Sequence, residues 1–133
     1  MAIRALIAAL AVLAAAACGP RAQAPEAVVA QVYATATAAI ARGEVRYDYI
    51  PLSDDLSAAI ETGQRLAEQR NEPFIEGDLA SGCQDCQALT DLAISVTTPP
   101  ADGRAVVRAT FNLDGQPRDM SYAMVQTPQG WRV

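Results

Sequence analysis

Between residues 26 and 42, apolar side chains recur three and four positions apart: Val29, Val32, Tyr33, Ala36, Ala39 and Ile40. That spacing predicts an amphipathic helix with Glu26 at its positive end and Gly43 as its stop. Residues 44–52 have no such period and mix polar with aromatic types, Tyr47, Asp48 and Tyr49 preceding Pro51. Ser53 then offers an N-cap, Asp54 and Asp55 occupy a first turn, and Leu56, Ile60 and Leu66 mark an apolar face to about Arg70. Gly63 inside this second helix costs about 1 kcal/mol relative to Ala and opens the possibility of a break. Beyond Cys86 the period changes to two. Leu92, Ile94 and Val96 alternate with Ala93, Ser95 and Thr97, and residues 99–103 read as a turn. Ala105, Val107, Ala109, Phe111 and Leu113 form one face of a second strand, opposite Arg104, Val106, Arg108, Thr110 and Asn112. Asp114-Gly115 is a hairpin signal, and Met120, Tyr122 and Met124 make the inward side of a third strand. A turn at residues 127–130 leads into Trp131, Arg132 and Val133, a short last strand. Helices followed by an antiparallel meander predict an α+β domain, the helices packed on one face of a curved sheet.

The first residues follow a different rule. Arg4 precedes thirteen apolar residues, Ala5 to Ala17, and then Cys18. A helix crossing a bilayer needs about twenty apolar residues, so a charged start, a short apolar run and small residues before the cut predict an export signal over residues 1–17. A cysteine directly after Ala15-Ala16-Ala17 resembles the lipobox of bacterial lipoproteins, with Ala15 where Leu is usual. The resemblance implies lipidation of Cys18, a tether over residues 18–25, and one domain over residues 26–133. Gly19, rather than Asp, implies sorting to the outer membrane by likeness to enterobacterial lipoproteins. Ordinary cleavage to give an unlipidated periplasmic protein is the alternative.

Composition narrows the chemistry. All ten basic residues are arginine and fifteen residues are acidic, for a net charge of −5. Loss of Arg4 with the signal leaves nine arginines against fifteen acids, or −6. Without a basic stripe, nucleic-acid binding is disfavoured. The chain has no histidine. That removes the usual neutral-pH base, the commonest metal ligand and every Ser-His or Cys-His nucleophile pair. No cofactor and no metal is expected.

The segment 71–86 joins the helical half to the stranded half and holds Cys83-Gln84-Asp85-Cys86. With Cys18 lipidated, these two cysteines are a natural pair in an oxidising compartment and predict a structural disulfide. A redox pair would want a thiolate at a helix N-terminus in a βαβ setting, and Asp85 opposes one. Zinc would need two further ligands. Glu72, Glu76, Asp78, Asp85 and Asp91 lack the order of a calcium loop and read as a solvated acidic loop. Asp54 and Asp55, about 100° apart on a helix, complement its dipole rather than share an ion.

Val28-Val29-Ala30-Gln31-Val32-Tyr33, then Ile50-Pro51-Leu52-Ser53-Asp54-Asp55-Leu56, then Asn71-Glu72-Pro73-Phe74 resemble a bacterial family of small envelope lipoproteins, domain of unknown function 3828. The closing Gly130-Trp131-Arg132-Val133 is similar both to that family and to the wider nuclear-transport-factor-like, or cystatin-like, cone superfamily. The resemblance implies a cone whose pocket lies between sheet and helices, for which Tyr33, Phe74, Phe111, Met120, Tyr122, Met124 and Trp131 are the candidate lining. Cone isomerases need an inward carboxylate beside a hydrogen-bond donor. Asp119 is expected on the outward face, and the expected inward residues are apolar or aromatic. The reading that follows is a non-catalytic, periplasm-facing lipoprotein, held to the membrane at Cys18, that binds an envelope protein or small ligand. A cone-pocket isomerase and a thiol-disulfide protein are the alternatives.

Overall fold

The computed structural model describes residues 23–44, 46 and 48–133. The export signal, Cys18, most of the tether and Tyr47 lie outside the described residues. Two helices, α1 (Pro25–Ala41) and α2 (Asp54–Arg70), precede four strands: β1 (Leu89–Ala101), β2 (Arg104–Leu113), β3 (Gln116–Thr127) and β4 (Gly130–Arg132). The strands form one antiparallel sheet in chain order, so the α+β expectation is met. Among the described residues no helix is long and apolar enough to cross a membrane.

The helix α1 forms where its pattern predicts. Pro25, whose φ is already helical and whose missing N–H is not needed, sits in the first turn. Val29, Val32, Tyr33, Ala36, Ala39 and Ile40 are all buried, with Val28 beside them. This face packs on β1 and β2. On β2 the inward set is Ala105, Val107, Ala109, Phe111 and Leu113, as the alternation requires, while Arg104 and Arg108 on the other face are exposed.

The helix α2 is a different object. The Ser53 hydroxyl accepts from the Leu56 amide at 3.3 Å, as an N-cap should, and Asn71 ends the helix in the left-handed region (φ 54°, ψ 42°). Yet Ala67 is its one buried residue. Leu66 is exposed, against expectation, because six residues from Ile60 at 100° each place it 120° away around the helix. Gly63 does not break the helix. The Phe74 ring lies against it, so close that an added Cβ would stand 2.4 Å from the ring.

Two strand details depart from the alternation. Asp91 takes φ 54° at a bulge between Thr90 and Ala93, where its carboxylate accepts from Asn112 Nδ2 at 2.7 Å and from Thr90 Oγ1 at 3.0 Å. The extra residue shifts Leu92 off the inward face, where Ile94 and Val96 stay opposite Ala109 and Val107. Pro99 and Pro100 belong to β1 and not to the turn. On an edge strand prolines discourage pairing with another chain, and the β1–β2 register is irregular between Thr98 and Ala101, where they stand. The turn shrinks to Asp102-Gly103 (φ 49°, 70°), matched by Asp114-Gly115 (φ 50°, 77°). Both pairs keep two consecutive positive φ angles, the two-residue hairpin that follows strand twist. The three-residue β4 is continued at its end: the Val133 amide donates to the Pro51 carbonyl at 2.9 Å, and the Ser53 amide donates to the Val133 carbonyl at 2.8 Å. Those bonds fasten the start of α2 to Val133, the residue that follows β4.

Candidate functional site

Three features bear on function: a buried polar network, the cysteine pair beside it, and a groove along α2. The network begins on α1. Tyr33 is fully buried, and its hydroxyl donates to the Ala80 carbonyl at 2.9 Å. Tyr122, on β3, donates to the Tyr33 hydroxyl at 2.9 Å, with the same carbonyl 3.3 Å away. The Tyr33 ring also packs on Phe111 and meets Tyr122 edge-on, with centroids 5.1 and 6.2 Å apart. Ala80 is held by Asp78. Oδ1 of that carboxylate accepts from the Ala80 amide at 3.0 Å, the Ser81 amide at 2.8 Å and the Ser81 hydroxyl at 2.8 Å. The Tyr49 hydroxyl donates to Oδ2.

Burial drives the hydroxyls of Tyr33, Tyr49 and Tyr122 above the ordinary tyrosine value of 10.0. The hydrogen bond with Tyr122 adds to the rise at Tyr33, and the bond with Asp78 adds to it at Tyr49. All three are neutral donors at physiological pH.

Asp78 corrects the solvated-loop expectation. Glu72, Glu76, Asp85 and Asp91 are exposed, but Asp78 is buried, with Ala80, Ser81 and Cys83 buried after it. It is also the inward carboxylate beside a donor that the strand pattern alone did not supply. The signal was Asp78-Leu79-Ala80-Ser81, an Asp three residues before a Ser, which suits a side-chain-capped turn. Its chemistry is that of a brace. Oδ1 already accepts three hydrogen bonds and Oδ2 one, which leaves little capacity for a reacting proton. Among the described residues no three of His, Cys, Asp and Glu gather where they could hold a metal ion.

Cys83 and Cys86 stand at disulfide distance, with Cα atoms 5.6 Å apart. Cys83 is buried in the main core beside Ile40 and Leu89, and Cys86 packs against that core. The Cys83 carbonyl accepts from the Asp78 amide at 2.7 Å, so the pair closes the segment that Asp78 braces.

Of the seven candidate lining residues, Tyr33, Phe111, Tyr122, Met124 and Trp131 lie in one core cluster, with Met120 packed against it. These six fill the space between α1 and the sheet. Phe74 is elsewhere, 44% exposed. With Ile60, Ala67, Ile75 and Leu79 it lines a groove of about 560 Å³ between α2 and residues 72–79. Ile75 is 36% exposed. The groove's charged lining residues are Glu68 and Glu72. Sequence reasoning found Phe74 but put it inside, because an aromatic residue in a loop carries no period to say which way it faces.

Compared with known proteins, the chain matches no protein-family model, no curated protein and no solved structure.

Proposed function

We propose that this chain is a non-catalytic, lipid-anchored protein of the bacterial cell envelope that binds a protein partner through the groove between α2 and residues 72–79. The groove carries the reading. Phe74 and Ile75, adjacent in the chain, leave large apolar area in water at one groove, and the acids Glu68 and Glu72 border it. A partner segment with an apolar face and basic flanks suits that lining. Lipidation of Cys18 rests on the cysteine after Ala15-Ala16-Ala17, and periplasmic exposure at the outer membrane follows from it. The resemblance to domain of unknown function 3828 and to the cone superfamily supports the same address and a cone-shaped domain.

The isomerase alternative would use Asp78 and Tyr49. It requires the carboxylate to give up bonds that hold the Ala80–Ser81 turn, and through Ala80 the two central tyrosines. The non-catalytic reading needs no such rearrangement.

The test is affinity capture from detergent-solubilised membranes with the intact lipoprotein and its Ile75→Glu variant. A partner held by the wild type and lost from a folded Ile75→Glu variant is expected. Equal capture by both contradicts the groove.

A further inference from the structure

The groove between α2 and residues 72–79 has two unlike walls. One is a helix with its own hydrogen-bond ladder. The other has no regular structure, and among the described residues the backbone of residues 73–77 makes no hydrogen bond to other backbone groups. That wall is held at its ends. At the first, the Asn71 and Glu72 amides donate to the Glu68 and Ala67 carbonyls at the close of α2, at 3.1 and 2.9 Å. At the second, the Asp78 amide donates to the Cys83 carbonyl and the Gly82 amide donates to the Asp78 carbonyl, both at 2.7 Å. Gly77 lies so close to this second end that an added Cβ would stand 3.1 Å from the carbonyl oxygens of Gly82 and Cys83.

The second end is fastened in turn on two sides. On the Ala80 side, the tyrosines of α1 and β3 bond to the Ala80 carbonyl. On the Cys83 side, which the groove wall touches, the fastening runs through the cysteine pair. Asp114, in the turn between β2 and β3, accepts from the Gln87 and Ala88 amides at 2.9 and 2.8 Å, and its own amide donates to the Ala88 carbonyl at 3.0 Å. These bonds clamp to the sheet the residues that follow Cys86. From Cys86 back to Cys83 the main chain passes through Asp85 and Gln84, both exposed. A bond between the two sulfurs closes that loose link and ties the irregular wall to the sheet.

We propose that the Cys83–Cys86 disulfide sets this wall of the groove, so that the chain binds its partner only once the pair is oxidised. The proposal rests on the groove reading and adds a condition to it. Oxidation requires a disulfide-bearing exchange protein. Both cysteines line an open cleft with Gly43 and Glu44, and Cys86 is the more exposed of the two. The Cys86 thiolate attacks one sulfur of the donor's disulfide and expels the donor's other sulfur. The Cys83 thiolate then attacks the Cys86 sulfur and the donor leaves as a dithiol, having taken two electrons and the two cysteine protons. The Cys86 amide, 3.1 Å from the Cys83 sulfur, favours the thiolate that closes the bond. A chain still in a reducing compartment therefore lacks a formed groove.

The test reads amide hydrogen exchange on the intact chain in detergent, with the pair oxidised or reduced by a phosphine. Reduction should speed exchange at residues 74–79 about fivefold or more, within the roughly twentyfold that so short a loop allows, and leave α1, β2 and β3 unchanged. The Cys83→Ala/Cys86→Ala variant should show the same pattern. Unchanged exchange at residues 74–79, or a rise spread over α1 and the sheet, overturns the proposal. So does equal capture of the partner by oxidised and reduced chains. An oxidised chain that captures no protein while its exchange follows this pattern would instead overturn the groove as a protein site, a separate result because exchange is read on the chain alone.

Discussion

At the scale of single residues, the interior depends on a few oxygen atoms. Tyr33→Phe removes a buried donor to Ala80 and the acceptor for Tyr122, and should cost about 1–2 kcal/mol in urea unfolding followed by Trp131 fluorescence. Tyr122→Phe should cost less, because Tyr33 still satisfies the Ala80 carbonyl. Asp78→Ala strips acceptors from two amides and two hydroxyls and should cost about 3 kcal/mol. The same tyrosines set an alkaline limit. Their hydroxyls are raised in the folded chain and ordinary in the unfolded one, so above about pH 10 the unfolded state loses protons first. Stability is then full below that pH and falls above it, by at most about 1.4 kcal/mol per pH unit for each protected tyrosine. Unfolding titrations on either side of that pH measure the slope, and Tyr33→Phe should make it shallower.

At the scale of elements, the two helices were equally legible as helices but not in how they pack. The face of α1 could be read directly because Val29 through Ile40 keep one stripe. On α2 the apolar residues are sparse, and Leu66 falls outside the stripe of Ile60 and Ala67. Besides the backbone bonds at its start, α2 is met by Phe74 at Gly63, a contact between a glycine and a loop residue that no periodicity encodes. Gly63→Ala is therefore informative. The helix gains about 1 kcal/mol in propensity, while the half-exposed ring must swing away from the new Cβ. Global stability should stay within about 1 kcal/mol of wild type, and partner capture through the groove should change. Inward faces were legible from alternation on β2 and β3. They were misread on β1 because the Asp91 bulge and the edge prolines follow backbone rules rather than side-chain alternation. The segment 71–86 hid Asp78 for a related reason: burial there comes from hydrogen bonding to its own turn. Burial of Cys83 beside that turn argues for a stabilising bond, and its potential should lie below about −300 mV in glutathione or dithiothreitol titration.

For the whole molecule, the main core lies between α1 and the sheet, and three of the four exposed large apolar side chains among the described residues, Leu66, Phe74 and Ile75, lie on α2 and residues 72–79. The acid-bordered groove is the surface through which the proposed envelope protein would meet its partner. The central claim is tested most directly by a photo-crosslinking residue placed at Ile75 in the full chain in cells, with one at Ser95 on the outer sheet face as the control. The account predicts a crosslink from position 75 to a second protein, mapped to a segment with an apolar face and basic flanks, and none from position 95. Crosslinks equally strong from both positions, or none from position 75, would contradict it.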